Sequence, residues 1–364
     1  MKVSLDMQRG DENLRRLLSS LLFAFVLFLI ATYFIAMVLG PLVFFSTADG
    51  LSVSHRTISR LPIIIFGAYA VVDVEMNMGL FFLGIWLVFF ACFFMALEVR
   101  ENIFVSLRTL GRGGIDASFR NYLLFMSVVG SFSLVSVLLL EWFLSLLGLS
   151  VGAPSIPDNG APSELRQFLF FLEVSYAPII EEIGFRIIPL GVFLVVYLLL
   201  VKSQSRGQGG GCSWKSLITA PFFPYKAKRE CGLENVDSEG LFKGISVGEW
   251  VVIVVAAVVF GLAHYPLGSW GPAKFFSATL VGVALGAVYF AYGFVAPILL
   301  HWFFNYYFNV FSLASDYFAG LSSLIFLAYF VNVLFGLFIF ANIVFVFLKR
   351  FEHFRRKPAS QTDN

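Results

Sequence analysis

Long apolar runs, separated by short polar stretches, fill most of this chain. A helix needs about 20 apolar residues to cross the hydrocarbon layer of a bilayer. Runs of that kind predict transmembrane helices over 17–39, 79–97, 122–147, 166–202, 248–264, 273–293, 294–313 and 321–348. The fourth run would extend ~54 Å as one straight helix at 1.5 Å per residue. That is too long for a single crossing, and Pro178 offers a natural break. The stretch "LRQFLFFLEVSYA" before it then reads as a partial or interfacial helix leading into a spanning one. A shorter apolar stretch, 61–72, ends at Asp73 and Glu75 and is a candidate re-entrant segment. The pattern predicts an all-α polytopic membrane protein with about eight transmembrane helices.

Composition strengthens this picture. Hydrophobic residues make up 59% of the chain and charged residues 13%, with mean hydropathy +0.86. A soluble domain could not cover so much apolar surface with so few charges. The expected surroundings are the lipid bilayer, and no nucleic-acid partner is expected. A formal net charge of +2 decides nothing, because placement outweighs the sum in a membrane protein. Lys and Arg cluster before residue 17, in 98–121, in 202–243 and after 348, whereas 150–165 and 265–274 are poor in them. With eight spans this alternation places both termini in the cytoplasm, and the loop 46–60, with Arg56 and Arg60, fits it least well. The first apolar run is longer than a signal-peptide core and reads as a retained helix.

The organisation that follows is N-terminal transmembrane helices over 1–163, a core over 164–313, and a C-terminal helix with a basic tail over 314–364. Within the core, 203–247 contains "RGQGGG" and many polar residues and reads as a flexible cytoplasmic insertion. Cys92, Cys212 and Cys231 lack metal-type spacing and read as free thiols. No long internal repeat is visible.

Three short patterns carry possible chemistry. "IIEEIGFR" puts Glu181, Glu182 and Arg186 inside an apolar run, where each ionisable group costs a few kcal/mol. Glu182 and Arg186 stand i,i+4 on one helical face and can pair, while Glu181 lies ~100° further round and is less easily neutralised. A buried ion pair with a passenger carboxylate would explain the same residues without function. "VVFGLAHYPLG" places His264 at the end of an apolar run with Phe260 on its face, and "PILLHWFFNYYF" places His301 and Asn305 i,i+4. A lone histidine of this kind is commonly a satisfied core residue. Together the set suits hydrolysis: a carboxylate and an imidazole can polarise water, and a second imidazole and an amide can donate to an oxyanion. The same residues could ligate zinc through His264, His301 and Glu181. Glu141 and Glu173 read as interface or bundle-facing acids, and Trp142, Trp302, Tyr306 and Tyr307 as packing or interfacial aromatics.

Taken together, Glu181-Glu182-Ile-Gly-Phe-Arg186, Phe260-Gly-Leu-Ala-His264 and His301-Trp-Phe-Phe-Asn305 resemble the pattern of the CPBP (Abi, CAAX protease and bacteriocin-processing) intramembrane endopeptidases. That family includes the type II CAAX prenyl endopeptidases. All three motifs are complete, in order and on predicted spans, and the resemblance covers roughly 164–313. It implies an intramembrane peptidase whose helices enclose an intramembrane active-site cavity and which acts on a membrane-anchored or prenylated, CAAX-type peptide. It implies Glu181 as general base acting with His264 on the attacking water, His301 and Asn305 as the oxyanion site, and Glu182 and Arg186 as orienting partners. The family was first described as metalloproteases and later as glutamate-dependent without metal. The lack of a His-Glu-x-x-His helix favours the metal-free form, with no cofactor. The insertion 203–247 departs from compact members. A non-proteolytic scaffold or bacteriocin-immunity-type protein of the same fold is the main alternative, but such a protein should have lost a catalytic residue and none is missing. A transporter with an acid relay should show paired repeats, which this chain lacks.

Overall fold

The computed structural model describes residues 2–152, 163–204 and 212–356. The chain begins with α1 (Lys2–Ser46), α2 (Ala48–Ser54) and a β-hairpin of β1 (Thr57–Ile65) and β2 (Ala68–Asn77). It continues through α3 (Met78–Ala96), α4 (Ile103–Gly111) and α5 (Tyr122–Leu146). Next come α6 (Ser163–Glu182), a π-helical turn (Ile183–Ile187) and α7 (Ile188–Gln204). Three short helices follow: α8 (Trp214–Thr219), α9 (Pro224–Glu230) and α10 (Val236–Gly244). The last part comprises α11 (Val247–His264), α12 (Pro272–Tyr292), α13 (Val295–Trp302), a second π-turn (Phe303–Tyr307), α14 (Phe308–Ser315) and α15 (Leu321–Arg356).

Among the described residues, seven helical stretches are long and apolar enough to cross a membrane: Arg16–Ser46, Met78–Ala96, Tyr122–Leu146, Leu165–Leu200, Val247–His264, Pro272–Tyr292 and Leu321–Lys349. The protein is a polytopic helical membrane protein. The expected span over 294–313 is helical too, but the second π-turn divides it into α13 and α14. Val295 to Trp302 are all buried, so this segment runs through the middle of the bundle, with protein rather than lipid around it. Irregular backbone at membrane depth is tolerated in such surroundings.

Pro178 does not break its helix, which continues through it to Glu182. The irregularity comes one turn later, where the Ile188 amide donates to the Ile183 carbonyl, a five-residue step that widens the helix. The stretch expected to be partial or interfacial is therefore part of one continuous run, Leu165–Leu200.

The apolar stretch 61–72 lies in the antiparallel hairpin, with Ile65 opposite Ala68 across a Phe66–Gly67 turn of positive φ at both residues. The hairpin lies against the α6–α7 run. The Tyr176 hydroxyl donates to the Pro62 carbonyl at 3.1 Å, and buried Ile64 sits over Gly184 so closely that a Cβ there would meet it at 2.3 Å. Gly184 thus permits the close approach. The tip, Phe66 and Gly67, lines a crevice with Phe185 and Val259.

The insertion is more ordered than its composition predicts. Buried Lys228 donates to Glu249 at 2.7 Å and to the Gly244 carbonyl at 2.8 Å, fastening α9 to the start of α11. Glu249 also closes the capping box of α11 with Ser246. Tyr289 on α12 donates to the Pro221 carbonyl. Cys212 and Cys231 form a disulfide rather than free thiols, and only Cys92 of the described cysteines is free. The contacts responsible join residues distant in sequence, which a local reading of polarity does not see. The "RGQGGG" stretch lies outside the described residues.

Candidate active site

Both π-turns lie beside the buried polar residues. Glu181 and Glu182 end α6, Arg186 lies within the first π-turn, and His301 precedes the second, which contains Asn305. Each turn shifts the helical phase of the residues beyond it, and π-turns are frequent at functional sites for that reason.

His301 is the centre of the arrangement. Its Nδ1 is 2.8 Å from Glu182 Oε1, and its Nε2 is 3.7 Å from Glu181 Oε2. The two adjacent carboxylates therefore face the two nitrogens of one imidazole. Glu182 Oε1 also accepts from Arg186 Nη1 at 3.0 Å. Glu182 and Arg186 are 0% and 1% exposed, so the pair expected from i,i+4 spacing forms in full burial. Arg186 lies over the Phe260 ring at 4.1 Å, a cation–π contact that holds its plane. Gly282 on α12 makes room for it, since a Cβ there would come within 3.2 Å of Arg186 Nη2. Glu181 is held less tightly: its Oε2 is buried and has no hydrogen-bond partner among the described residues.

His264 is the last residue of α11, and its Nδ1 lies 2.9 Å from the Phe260 carbonyl, which leaves Nε2 for the cavity. Phe260 is the hub of the aromatic contacts, with its ring centroid 4.6 Å from His264 and 5.8 Å from His301. A cavity here is lined by Phe260, His264, His301, Phe304 and Asn305, and also by Val137, Glu141, Lys274, Ser277, Ala278 and Val281. The structure thus gathers every residue that the three motifs single out. Glu181 also lies next to His301, because α6 ends against α13.

Lys274 and Glu141 are cavity residues that the motifs do not contain. Glu141 read as an ordinary acid near the end of a span, and Lys274 follows Pro272 at the head of α12, where a lysine is unremarked by any pattern. Trp302, Tyr306 and Tyr307 pack in the interior, and Trp142 is exposed near the end of α5, as a packing or interfacial role predicts. Among the described residues, no three or more His, Cys, Asp and Glu side chains cluster as metal ligands would.

Residues 164–307 match the family model of the Rce1-like type II CAAX prenyl endopeptidases. Comparisons with curated proteins and with solved structures give no match. The matched stretch contains Glu181, Glu182, Arg186, His264, His301 and Asn305, the residues that the fold brings together. Within a polytopic helical membrane protein, residues 164–307 are thus similar to the Rce1-like type II CAAX prenyl endopeptidases, whose pattern the three motifs resemble.

Proposed function

We propose that this protein hydrolyses a peptide bond of a prenylated or otherwise membrane-anchored, CAAX-type substrate with a water activated by Glu181. The observation that carries the reading is the imidazole of His301 set between two carboxylates at the wall of a cavity that His264 and Asn305 share. Each carboxylate has an unpartnered Oε2, but Glu182 Oε1 is engaged by Arg186 and His301, which leaves Glu181 the less restrained of the two.

In this mechanism Glu181 Oε2 accepts a proton from water while the water oxygen attacks the scissile carbonyl carbon. His264 Nε2 helps to hold that water. The carbonyl oxygen becomes an oxyanion and accepts hydrogen bonds from the Asn305 amide and from Nε2–H of His301, whose Nδ1 lies 2.8 Å from Glu182 Oε1. The C–N bond then breaks, and the proton held by Glu181 passes to the leaving amine. A positioned base is worth ~10²–10⁴ in rate, and each oxyanion donor ~10²–10³. Together these would account for most of the chemistry without a further group.

A zinc held by His264, His301 and Glu181 fits poorly, because these side chains do not converge as three ligands on one point. The glutamate mechanism is therefore preferred. With the interior α13–α14 stretch counted as an eighth crossing beside the seven long spans, the charge pattern supports both termini on the cytoplasmic side. A non-proteolytic scaffold would not need the complete set, of which Glu182, Arg186 and His301 are buried.

The test is cleavage by the purified protein in detergent of prenylated and unprenylated CAAX-type peptides, with products identified by mass spectrometry. The proposal expects a discrete C-terminal fragment, released faster from the prenylated peptide. A monodisperse preparation that cleaves neither would refute it.

A further inference from the structure

The hairpin of β1 and β2 has no part in the catalytic scheme, yet it reaches the level of the catalytic helices. Its base adjoins Met78, where the span Met78–Ala96 begins. Its tip, Phe66 and Gly67, meets Phe185 near the middle of Leu165–Leu200, and Val259 of Val247–His264. The sheet therefore dips from the end of one span to the interior of two others.

The outer edges of the two strands are used differently. The two-residue turn makes Ile65 and Ala68 a hydrogen-bonded pair, and bonded pairs alternate with non-bonded ones along an antiparallel ladder. Ile63 and Ala70 are then the next bonded pair, while Ile64 with Tyr69 and Pro62 with Val71 are not bonded. Pro62, which has no amide hydrogen, fits that assignment. The backbone groups of Tyr69 and Val71 thus point away from β1, and those of Pro62 and Ile64 away from β2. On the β1 side the Pro62 carbonyl accepts from the Tyr176 hydroxyl of α6. On the β2 side, among the described residues, no backbone hydrogen bond joins Tyr69 or Val71 to another element. Both residues are exposed, as are Ala68, Ala70 and Val72. Open sheet edges facing lipid do not occur within the hydrocarbon region, where no water can satisfy the backbone groups. This edge is therefore suited to receive a third strand.

The surroundings of the edge select the occupant. Tyr69 lies within electrostatic range of Glu181 and of Glu173 on α6. A strand added to β2 lies ~4.8 Å from it, in the neighbourhood of the carboxylate proposed as base. Tyr69 and Val71 on one face of β2, with Ala70 and Val72 on the other, flank that strand with apolar groups. Charge on β2 begins at Asp73, 3.5 Å from Arg60 Nε, towards the base of the hairpin. We infer that the open edge of β2 binds substrate, with an extended, apolar segment of the peptide beside its scissile bond adding as a third strand. This deepens the peptidase reading above and rests on it. Pairing of this kind draws affinity from main-chain hydrogen bonds and tolerates varied side chains.

The experiment is a backbone N-methylation scan along one prenylated peptide, with kcat and KM measured on wild-type protein. Each methyl group removes one donor and keeps the side chain. Strand addition predicts a period of two. Methylation at edge-facing positions should lower kcat/KM by about 2–10-fold, the range for one hydrogen bond, mainly through KM, and the positions between should change little. Val71→Pro removes an amide of the edge without removing a bond to β1, because that amide points outward. It should flatten the alternation while the melting temperature stays near that of wild type. A scan without period two in wild-type protein would overturn strand addition and leave the peptidase reading intact. An alternation that persists unchanged in folded Val71→Pro would overturn the assignment to this edge. Concentration-dependent dimers that Val71→Pro dissociates, with no alternation in the scan, would give the edge to a second copy of the chain instead. No cleavage of the unmethylated peptide by wild-type protein would overturn the reading on which the inference rests. The wild-type scan requires no variant to fold.

Discussion

The two sides of His301 are built in opposite ways. On one, Glu182 Oε1 accepts from Arg186 and lies 2.8 Å from His301 Nδ1, and all three groups are buried within the π-turns and their neighbouring helices. On the other, the cavity wall carries Lys274 and Glu141, which come from different helices and form no ion pair with one another. A buried network resists change, because losing one member strands the others in a medium that cannot solvate them. Charges at a cavity wall that are not tied to each other carry no such constraint. The difference separates the network that orients His301 from the wall that faces the cavity.

Arg186→Ala attacks that contrast most strongly. It would leave Glu182 buried with only the His301 contact, at a cost of ~3–5 kcal/mol if the buried pair behaves as others do. The expected result is a large drop in melting temperature in detergent. Wild-type stability combined with lost activity would show that Arg186 serves substrate rather than the network. Gly184→Val comes next. Its side chain would collide with Ile64 of the hairpin, and overpacking of this kind costs ~1–3 kcal/mol. Faster proteolysis of the hairpin should report the displacement, and an unchanged digestion pattern would mean that the hairpin is not held where it lies. The smallest expected effect is that of exhaustive chelation, which should leave turnover unchanged. Loss of activity on chelation, restored by zinc, would reassign His264, His301 and Glu181 as ligands.

Much of the buried network was legible in the sequence, because its parts are spaced at helical periods. Glu182 and Arg186 at i,i+4 pair as their spacing predicts. His301 and Asn305 share one cavity as theirs predicts. What spacing could not convey was the phase of one helix against another. It left open which carboxylate would reach which histidine, and the π-turns change that phase without any marker such as proline. Pro178 was the visible candidate for a break, and its helix runs straight through it. The hairpin was hidden for a related reason: "LPIIIFGAYAVV" is apolar on both strands, so it lacks the alternation that identifies a half-buried sheet. Lys228 with Glu249, and Cys212 with Cys231, meet through tertiary packing alone. The charged part of the cavity wall was the least legible, since Lys274 and Glu141 are single residues near the ends of spans, where charges are common.

The central claim is that Glu181, the less restrained of the two carboxylates, activates water. Glu181→Gln tests it most directly, because the amide keeps the shape and cannot accept the proton. Single-turnover cleavage of a prenylated CAAX-type peptide by the folded, monodisperse variant should be slower by ~10²–10⁴, with the melting temperature close to that of wild type. Turnover at the wild-type rate would contradict the account and remove Glu181 from the chemistry.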